Sequence, residues 1–149
     1  MDVVAEVEAP CGADRLFAEV EDLVRYPAWL TIVPRAVPAD DGTEAWVVDL
    51  RGRLGPMARS KRLRMTRTAH DAPRHCRFER AELDGRDHSA WVLDATVEPT
   101  GDDSSKLIMR LHYGGSFGGS LLERMLRDEI ERSRPALLAV VSEPAQPSH

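Results

Sequence analysis

Residues 14–29 read DRLFAEVEDLVRYPAW. Apolar residues recur in this stretch at the three- and four-residue spacing of a helix, at Leu16, Phe17, Val20, Leu23 and Val24. Gly12 and Asp14 are typical helix-start residues, and Pro27 interrupts the pattern because its ring removes a backbone donor. The stretch therefore predicts a short helix, a break, and a second short helix that ends near Trp29.

The residues on both sides of these helices alternate with the period of a β-strand. Val3, Ala5, Val7 and Ala9 form one apolar face of a strand that Pro10 closes. Six further strands follow the helices, with turn signals such as Asp84-Gly85 between them. These patterns predict a seven-stranded antiparallel meander with the two short helices between strands 1 and 2.

The C-terminal third predicts a long amphipathic helix. Its apolar stripe consists of Leu122, Met125, Leu126, Ile130, Leu137 and Val141. We expect Pro135 to kink this helix, residues 1–142 to form one domain, and residues 143–149 to be a disordered tail. The fold class is therefore α+β, with a curved sheet wrapped around the C-terminal helix.

A sheet wrapped in this way leaves room for a cavity between its inner face and the helix. Few aromatic residues (5%) and several flexible methionines on the inward faces favour such a cavity. The expected lining is Tyr26, Trp29, Trp46, Val48, Leu50, Leu63, Met65, Phe78, Trp91, Leu93, Met109, Leu111, Tyr113, Phe117, Leu122, Met125 and Leu126.

Charge is unevenly distributed along the 149 residues. Residues 51–80 contain ten basic and two acidic side chains, although the whole chain carries a net charge of −5. This block is a solvated outer sheet face or a surface for an acidic protein partner. Binding of nucleic acid is not expected, because no aromatic residues interleave with the block and no helix-turn-helix or zinc-finger spacing is present.

Several classes of protein and site are disfavoured. No apolar run approaches the roughly 20 residues that a membrane-spanning helix needs, and the acidic start at Asp2 is unlike a secretory signal. We expect a cytoplasmic protein with Cys11 and Cys76 as thiols. The histidine spacing does not indicate a metal site, and the glycine-rich residues 114–120 lack the lysine of a phosphate loop. No cofactor is expected, and residues 114–120 are interpreted as a hinge.

Arg67 is the candidate catalytic residue. Alternation places it on the same strand face as Leu63 and Met65. A cation there needs a carboxylate or a ligand anion as its partner, or it reaches solvent at the end of the strand. The pattern alone does not choose between these outcomes.

The order of elements and the sequence of residues 9–29 resemble the START-like, or SRPBCC, superfamily. The resemblance rests on Ala9-Pro10, on the helix at residues 14–20, and on Tyr26-Pro27-Ala28-Trp29. It implies a helix-grip fold with a deep apolar cavity, and it points to the polyketide cyclase/dehydrase and coenzyme-Q-binding-like subset. In similar cyclases a cavity arginine orients polyketide carbonyls, and Arg67 occupies the matching position. Val33 stands where those cyclases have a phenolic residue.

The leading hypothesis is a bacterial protein that binds a lipid, quinone or polyketide-like molecule in the cavity. A polyketide cyclase or aromatase that uses Arg67 to stabilise an enolate is the alternative. A further alternative is a module that binds a protein partner through the basic strands. The sequence leaves ligand identity, catalysis and oligomeric state open.

Overall fold

The computed structural model describes residues 1–40, 42–54, 57–115 and 119–142, with the side chains of residues 53, 54 and 57 excepted. Strand β1 (Asp2–Ala9) is followed by helix α1 (Ala13–Ala18) and a 3₁₀ segment, Leu23–Ala28. The remaining elements are β2 (Arg35–Pro38), β3 (Ala45–Leu54), β4 (Met57–Asp71), β5 (His75–Arg80), β6 (Trp91–Gly101), β7 (Ser104–Tyr113) and helix α2 (Gly119–Ser142). This succession confirms the predicted α+β fold.

The seven strands form one antiparallel sheet in the order β1-β7-β6-β5-β4-β3-β2. Strand β1 therefore leaves the sequential order and pairs with β7, from Asp2 opposite His112 to Ala9 opposite Ser105. The other six strands follow each other as the predicted meander. One face of this curved sheet carries the apolar core, as expected for an antiparallel sheet with one covered face.

The short helices differ in detail from the sequence pattern. Helix α1 ends at Ala18, and the second segment adopts the tighter 3₁₀ geometry with Pro27 inside it. The Asp22 carboxylate caps this segment by accepting a hydrogen bond from the Val24 amide at 3.0 Å. Val24 itself is 42% exposed, so the apolar stripe of the sequence does not extend to it.

Helix α2 covers the concave face of the sheet and contacts β1, β3 and the 3₁₀ segment. Leu122, Leu126, Leu137 and Val141 form its buried stripe, at about 1.5–3 kcal/mol of stabilisation for each fully buried side chain. The helix runs on through Pro135. Arg15 of α1 donates a hydrogen bond to the Val140 carbonyl at 2.8 Å and thereby satisfies an open acceptor in the last turn.

Two expectations fall on parts of the chain outside the described residues. They are the disordered tail at residues 143–149 and the middle of the glycine-rich stretch, residues 116–118, which includes Phe117. Gly119 and Ser120, at the end of that stretch, form the first turn of α2. None of the described helices is long and apolar enough to cross a membrane.

Candidate ligand cavity

An apolar chamber of about 60 Å³ lies between the concave face of the sheet and the elements that cover it. We call it the inner chamber. It is lined by Leu23, Tyr26, Leu30, Ile32, Val33, Val48, Leu50, Leu63, Met65, Trp91, Leu93, Met109, Leu111 and Ile130. This described lining contains no charged residue, and cavities of that kind favour apolar groups over water.

A second space of about 110 Å³ adjoins the inner chamber, and we call it the mouth. Its lining consists of Ile32, Leu50, Arg51, Gly52, Arg59, Ser60, Lys61, Trp91, Tyr113, Leu122, Met125 and Leu126. Ile32, Leu50 and Trp91 line both spaces, so the two are neighbours. A cavity of roughly 150 Å³ accommodates benzene. Pockets for drug-sized ligands have volumes of roughly 300–1,000 Å³, so this conformation has room for a small apolar group only.

The register of β3 against β4 explains why the cavity changes character along its length. Residues directly opposite each other in an antiparallel pair project to the same face of the sheet. On the concave face these pairs run from apolar to basic in the order Trp46 with Met65, Val48 with Leu63, Leu50 with Lys61, and Gly52 with Arg59. The closed end is therefore apolar, and the mouth is basic.

Gly52 brings helix α2 close to the backbone of β3 at the mouth. A Cβ atom built on Gly52 would lie 2.7 Å from both Sδ and Cε of Met125. The missing side chain thus makes room for Met125, which covers part of the mouth. Because methionine has three rotatable side-chain bonds, this cover is easily rearranged.

Trp91 stands at the junction of the inner chamber and the mouth with an unused hydrogen-bond donor. Its Nε1 atom is buried and has no acceptor among the described residues, whereas its ring packs on Tyr113 with centroids 4.6 Å apart. The other two tryptophans differ, because Trp29 donates to the Glu19 carbonyl at 3.3 Å and Trp46 to the Asp22 carboxylate at 3.0 Å. An indole N–H in such a place is suited to an oxygen atom of a ligand.

Most residues expected in the lining are brought together by the structure. Those around the inner chamber are Tyr26, Val48, Leu50, Leu63, Met65, Trp91, Leu93, Met109 and Leu111. Those around the mouth include Tyr113, Leu122, Met125 and Leu126. Their role in binding a ligand stays a prediction.

Three expected residues lie elsewhere. Trp46 and Phe78 pack edge to face with ring centroids 5.4 Å apart, in the filled part of the core and outside both lining sets. Trp29 lines a separate small space beneath α2, next to Met109 and Leu137. Trp46 and Phe78 point inward as alternation indicates, but their rings and that of Tyr26 fill the space on that part of the sheet.

Sequence reasoning also missed part of the lining. Leu30, Ile32 and Val33 enter it from the segment before β2, which alternation alone does not orient. Arg59 and Lys61 enter the mouth from β4. The sequence did indicate the direction of Lys61, because every second residue of a strand lies on the same face and Lys61 alternates in this way with Leu63 and Met65.

Arg67 faces inward opposite Phe78 in the register, but it is absent from the lining of the inner chamber and of the mouth. Its guanidinium donates to the Glu21 carbonyl at 2.8 Å and to the Glu44 carboxylate at 2.9 Å. It also lies 5.7 Å from the centroid of the Trp46 ring, and its side chain is 12% exposed. Of the outcomes that the sequence left open, the structure shows the internal ion pair, and the catalytic role stays a prediction.

Two buried titratable groups of the core, Tyr26 and Cys76, are held in their protonated forms. Burial raises the pKa of Tyr26 well above its ordinary value, and its hydroxyl donates to the Val20 carbonyl at 3.0 Å. Burial also raises the pKa of the Cys76 thiol to about 12. Neither group is therefore a base or a nucleophile at neutral pH. In the described part of the chain, no group of three His, Cys, Asp or Glu side chains is arranged to hold a metal ion.

Comparisons with known proteins agree with this architecture. A family model described as "Polyketide cyclase / dehydrase and lipid transport" matches residues 1–141. Among solved structures, a START superfamily protein from Mycobacterium smegmatis has a TM-score of 0.71 at 18% identity, over 94% of this chain and 96% of that one. No curated protein matches.

Two further structures have similar scores at lower identity. The Zhui aromatase/cyclase from Streptomyces sp. R1128 has a TM-score of 0.68 at 14% identity, over 95% of this chain and 93% of that one. A conserved protein from Geobacillus kaustophilus has a TM-score of 0.73 at 12% identity, over 95% of both chains. At such identities these structures show a shared START-like fold, and function does not follow from fold alone.

Proposed function

Because the chain belongs to the polyketide cyclase / dehydrase and lipid transport family, we propose that it binds a small hydrophobic molecule between the sheet and α2. The observation that carries this proposal is the uncharged inner chamber, which adjoins a mouth at the helix. The candidate ligands are lipids, quinones and polyketide-like compounds. We place the protein in the cytoplasm.

Apolar burial would supply most of the affinity, at about 25 cal/mol for each Å² removed from water before ordering costs. The Trp91 N–H adds a directional contact for a ligand oxygen, since this donor has no acceptor within the described residues. A drug-sized ligand requires a wider space between α2 and β3 than this conformation has. Met125 narrows the mouth for such a ligand, because its side chain packs on Gly52.

A polyketide cyclase or aromatase is the second candidate, supported by the family description and by the name of one structural neighbour. It rests on Arg67, whose guanidinium already contacts Glu21 and Glu44. Substitution Arg67→Ala should lower turnover of a poly-β-keto substrate by orders of magnitude if Arg67 stabilises an enolate. Turnover that survives this substitution in a folded protein removes the assignment.

The binding proposal is tested first by native mass spectrometry of protein purified without detergent, followed by solvent extraction. We expect a discrete added mass of lipid-, quinone- or polyketide-like character. Binding of toluene, followed by ¹H–¹⁵N NMR, then locates the site. Toluene should perturb signals of the inner chamber, including Trp91 and Met109.

Two substitutions fill the cavity, and each has a neighbour as its control. Met109→Trp blocks the inner chamber, and Leu122→Trp blocks the mouth. Ile108→Trp places the same ring on the other face of β7, and Leu121→Trp places it at a position that is 50% exposed. Toluene should bind to both controls and to neither filled variant. A wild-type protein that takes up no apolar probe, or filled variants that bind normally, would contradict the proposal.

A further inference from the structure

The concave face of the sheet carries basic residues at the place where the sheet meets α2. Lys61 lies opposite Leu50 and Arg59 lies opposite Gly52, so both share the face of the apolar chamber residues. Both line the mouth together with Met125 and Leu122 of the helix. The two positions are two residues apart on one strand, which separates their Cα atoms by about 6.6 Å. Both side chains therefore stand at the same rim of the cavity.

The described lining of the mouth contains no acidic residue, although the chain as a whole has a net charge of −5. Lys61 has no carboxylate within ion-pair distance in the ranges that the structure describes. Its neighbour Arg62, on the outer face of the same strand, instead binds the Asp49 carboxylate at 2.8 Å. Arg62 is thus neutralised within the protein, whereas Lys61, among the described residues, is an unpaired cation next to an apolar space.

We propose that the ligand is an anionic amphiphile, a monocarboxylate whose head group binds Lys61 at the mouth. Its apolar body extends past Leu50 into the inner chamber. This inference rests on the proposed function and adds the chemical class of the ligand. A carboxylate fits because its oxygens accept charge-assisted hydrogen bonds from the lysine ammonium.

The dimensions of the site limit the length of the apolar body. Four residues of β4 separate the level of Lys61 from that of Met65, or about 13 Å along the strand. Trp46 and Phe78 fill the core at the Met65 end. An octyl chain has a length of this order, and octanoate is therefore the probe for the test. Its uncharged counterpart is 1-octanol, which has the same chain length and lacks the charge.

The experiment measures the Kd of octanoate and of 1-octanol by ¹H–¹⁵N NMR titration for the wild type, Lys61→Met and Arg62→Met. Methionine keeps an unbranched apolar stem and removes the charge. We expect Lys61→Met to weaken octanoate about fivefold, the upper range for an exposed ion pair, and to leave 1-octanol unchanged. Arg62→Met, the control on the outer face, should affect neither ligand. The difference between the two ligands should shrink in 0.5 M salt.

Other results separate this inference from the proposed function. If 1-octanol binds in the chamber and Lys61→Met changes octanoate and octanol equally, the lysine stem only covers apolar surface, and the carboxylate assignment is wrong. If Arg62→Met weakens octanoate binding as much as Lys61→Met does, the carboxylate assignment is also wrong, because the effect would then come from the net charge of the protein and not from a contact with Lys61. If neither ligand nor toluene binds, the proposed function itself fails.

Discussion

Comparing the stability of Trp91→Phe with that of Trp46→Phe shows what a buried indole N–H contributes when it has no acceptor and when it has one. Both side chains are 7% exposed. Trp46 donates to the Asp22 carboxylate at 3.0 Å, and Trp91 has no acceptor in the described part of the chain. Each substitution removes the same indole N–H and the same apolar area.

The expected changes in free energy of unfolding follow from that difference. Loss of apolar area costs about 1.5 kcal/mol at either site, by analogy with two buried methylene groups. At Trp91 the removal of a buried donor without a partner stabilises the protein by about 1–3 kcal/mol, so the net change lies between a loss of about 0.5 kcal/mol and a gain of about 1.5 kcal/mol. At Trp46 the lost hydrogen bond to a charged group adds about 1.5–3 kcal/mol to the cost, for a total of about 3–4.5 kcal/mol.

Urea denaturation of the ligand-free protein, followed by far-UV circular dichroism, measures both variants. A gap of about 3 kcal/mol corresponds to midpoints that differ by about 1.5 M at an m-value of about 2 kcal/mol/M. If Trp91→Phe is as destabilising as Trp46→Phe, the Trp91 N–H is satisfied in solution and the reasoning on the ligand contact is refuted. Trp29→Phe, which loses a bond to a backbone carbonyl at 3.3 Å, should fall between them.

Three further predictions concern the mouth, the buried thiol and the internal ion pair. Gly52→Ala should displace Met125 and reduce the uptake of toluene. Adding Met125→Ala should restore toluene uptake. Unchanged uptake in Gly52→Ala would show that the approach of Met125 to Gly52 does not control the mouth. The Cys76 thiol keeps its proton in the folded state up to about pH 12, whereas the unfolded thiol loses it near pH 9, so stability should fall with rising pH between these values. Urea midpoints from pH 8 to pH 10.5 should show a smaller decline for Cys76→Ala, and equal slopes would contradict the linkage. Arg67→Met should lower the free energy of unfolding by only about 1–2 kcal/mol, because the exposed Glu44 carboxylate regains water when the ion pair is lost. It should leave the Kd of toluene unchanged. Weaker binding of toluene would place Arg67 at the ligand.

Local spacing in the sequence was sufficient for the elements and for the direction of most side chains. The period of two along β3 and β4 places Val48, Leu63 and Met65 on one face, and the structure confirms that face as the inner one. The stripe of α2 was equally readable, since Leu122, Leu126, Leu137 and Val141 are all buried. These features depend on backbone geometry over a few residues, and the chain carries that information in its own order.

Only the tertiary structure decided which inward residues line a space and which fill one. Trp46 and Phe78 point inward like Val48, but they pack against each other and against the segment around Tyr26. Arg67 finds its partners at Glu21 and Glu44, which lie 46 and 23 residues away along the chain. Lys61 continues the inward parity of Leu63, and it lines the mouth because β3 and α2 meet there. Such outcomes depend on how far the sheet curves and on what covers it, because the space left over is set by contacts between segments distant in sequence.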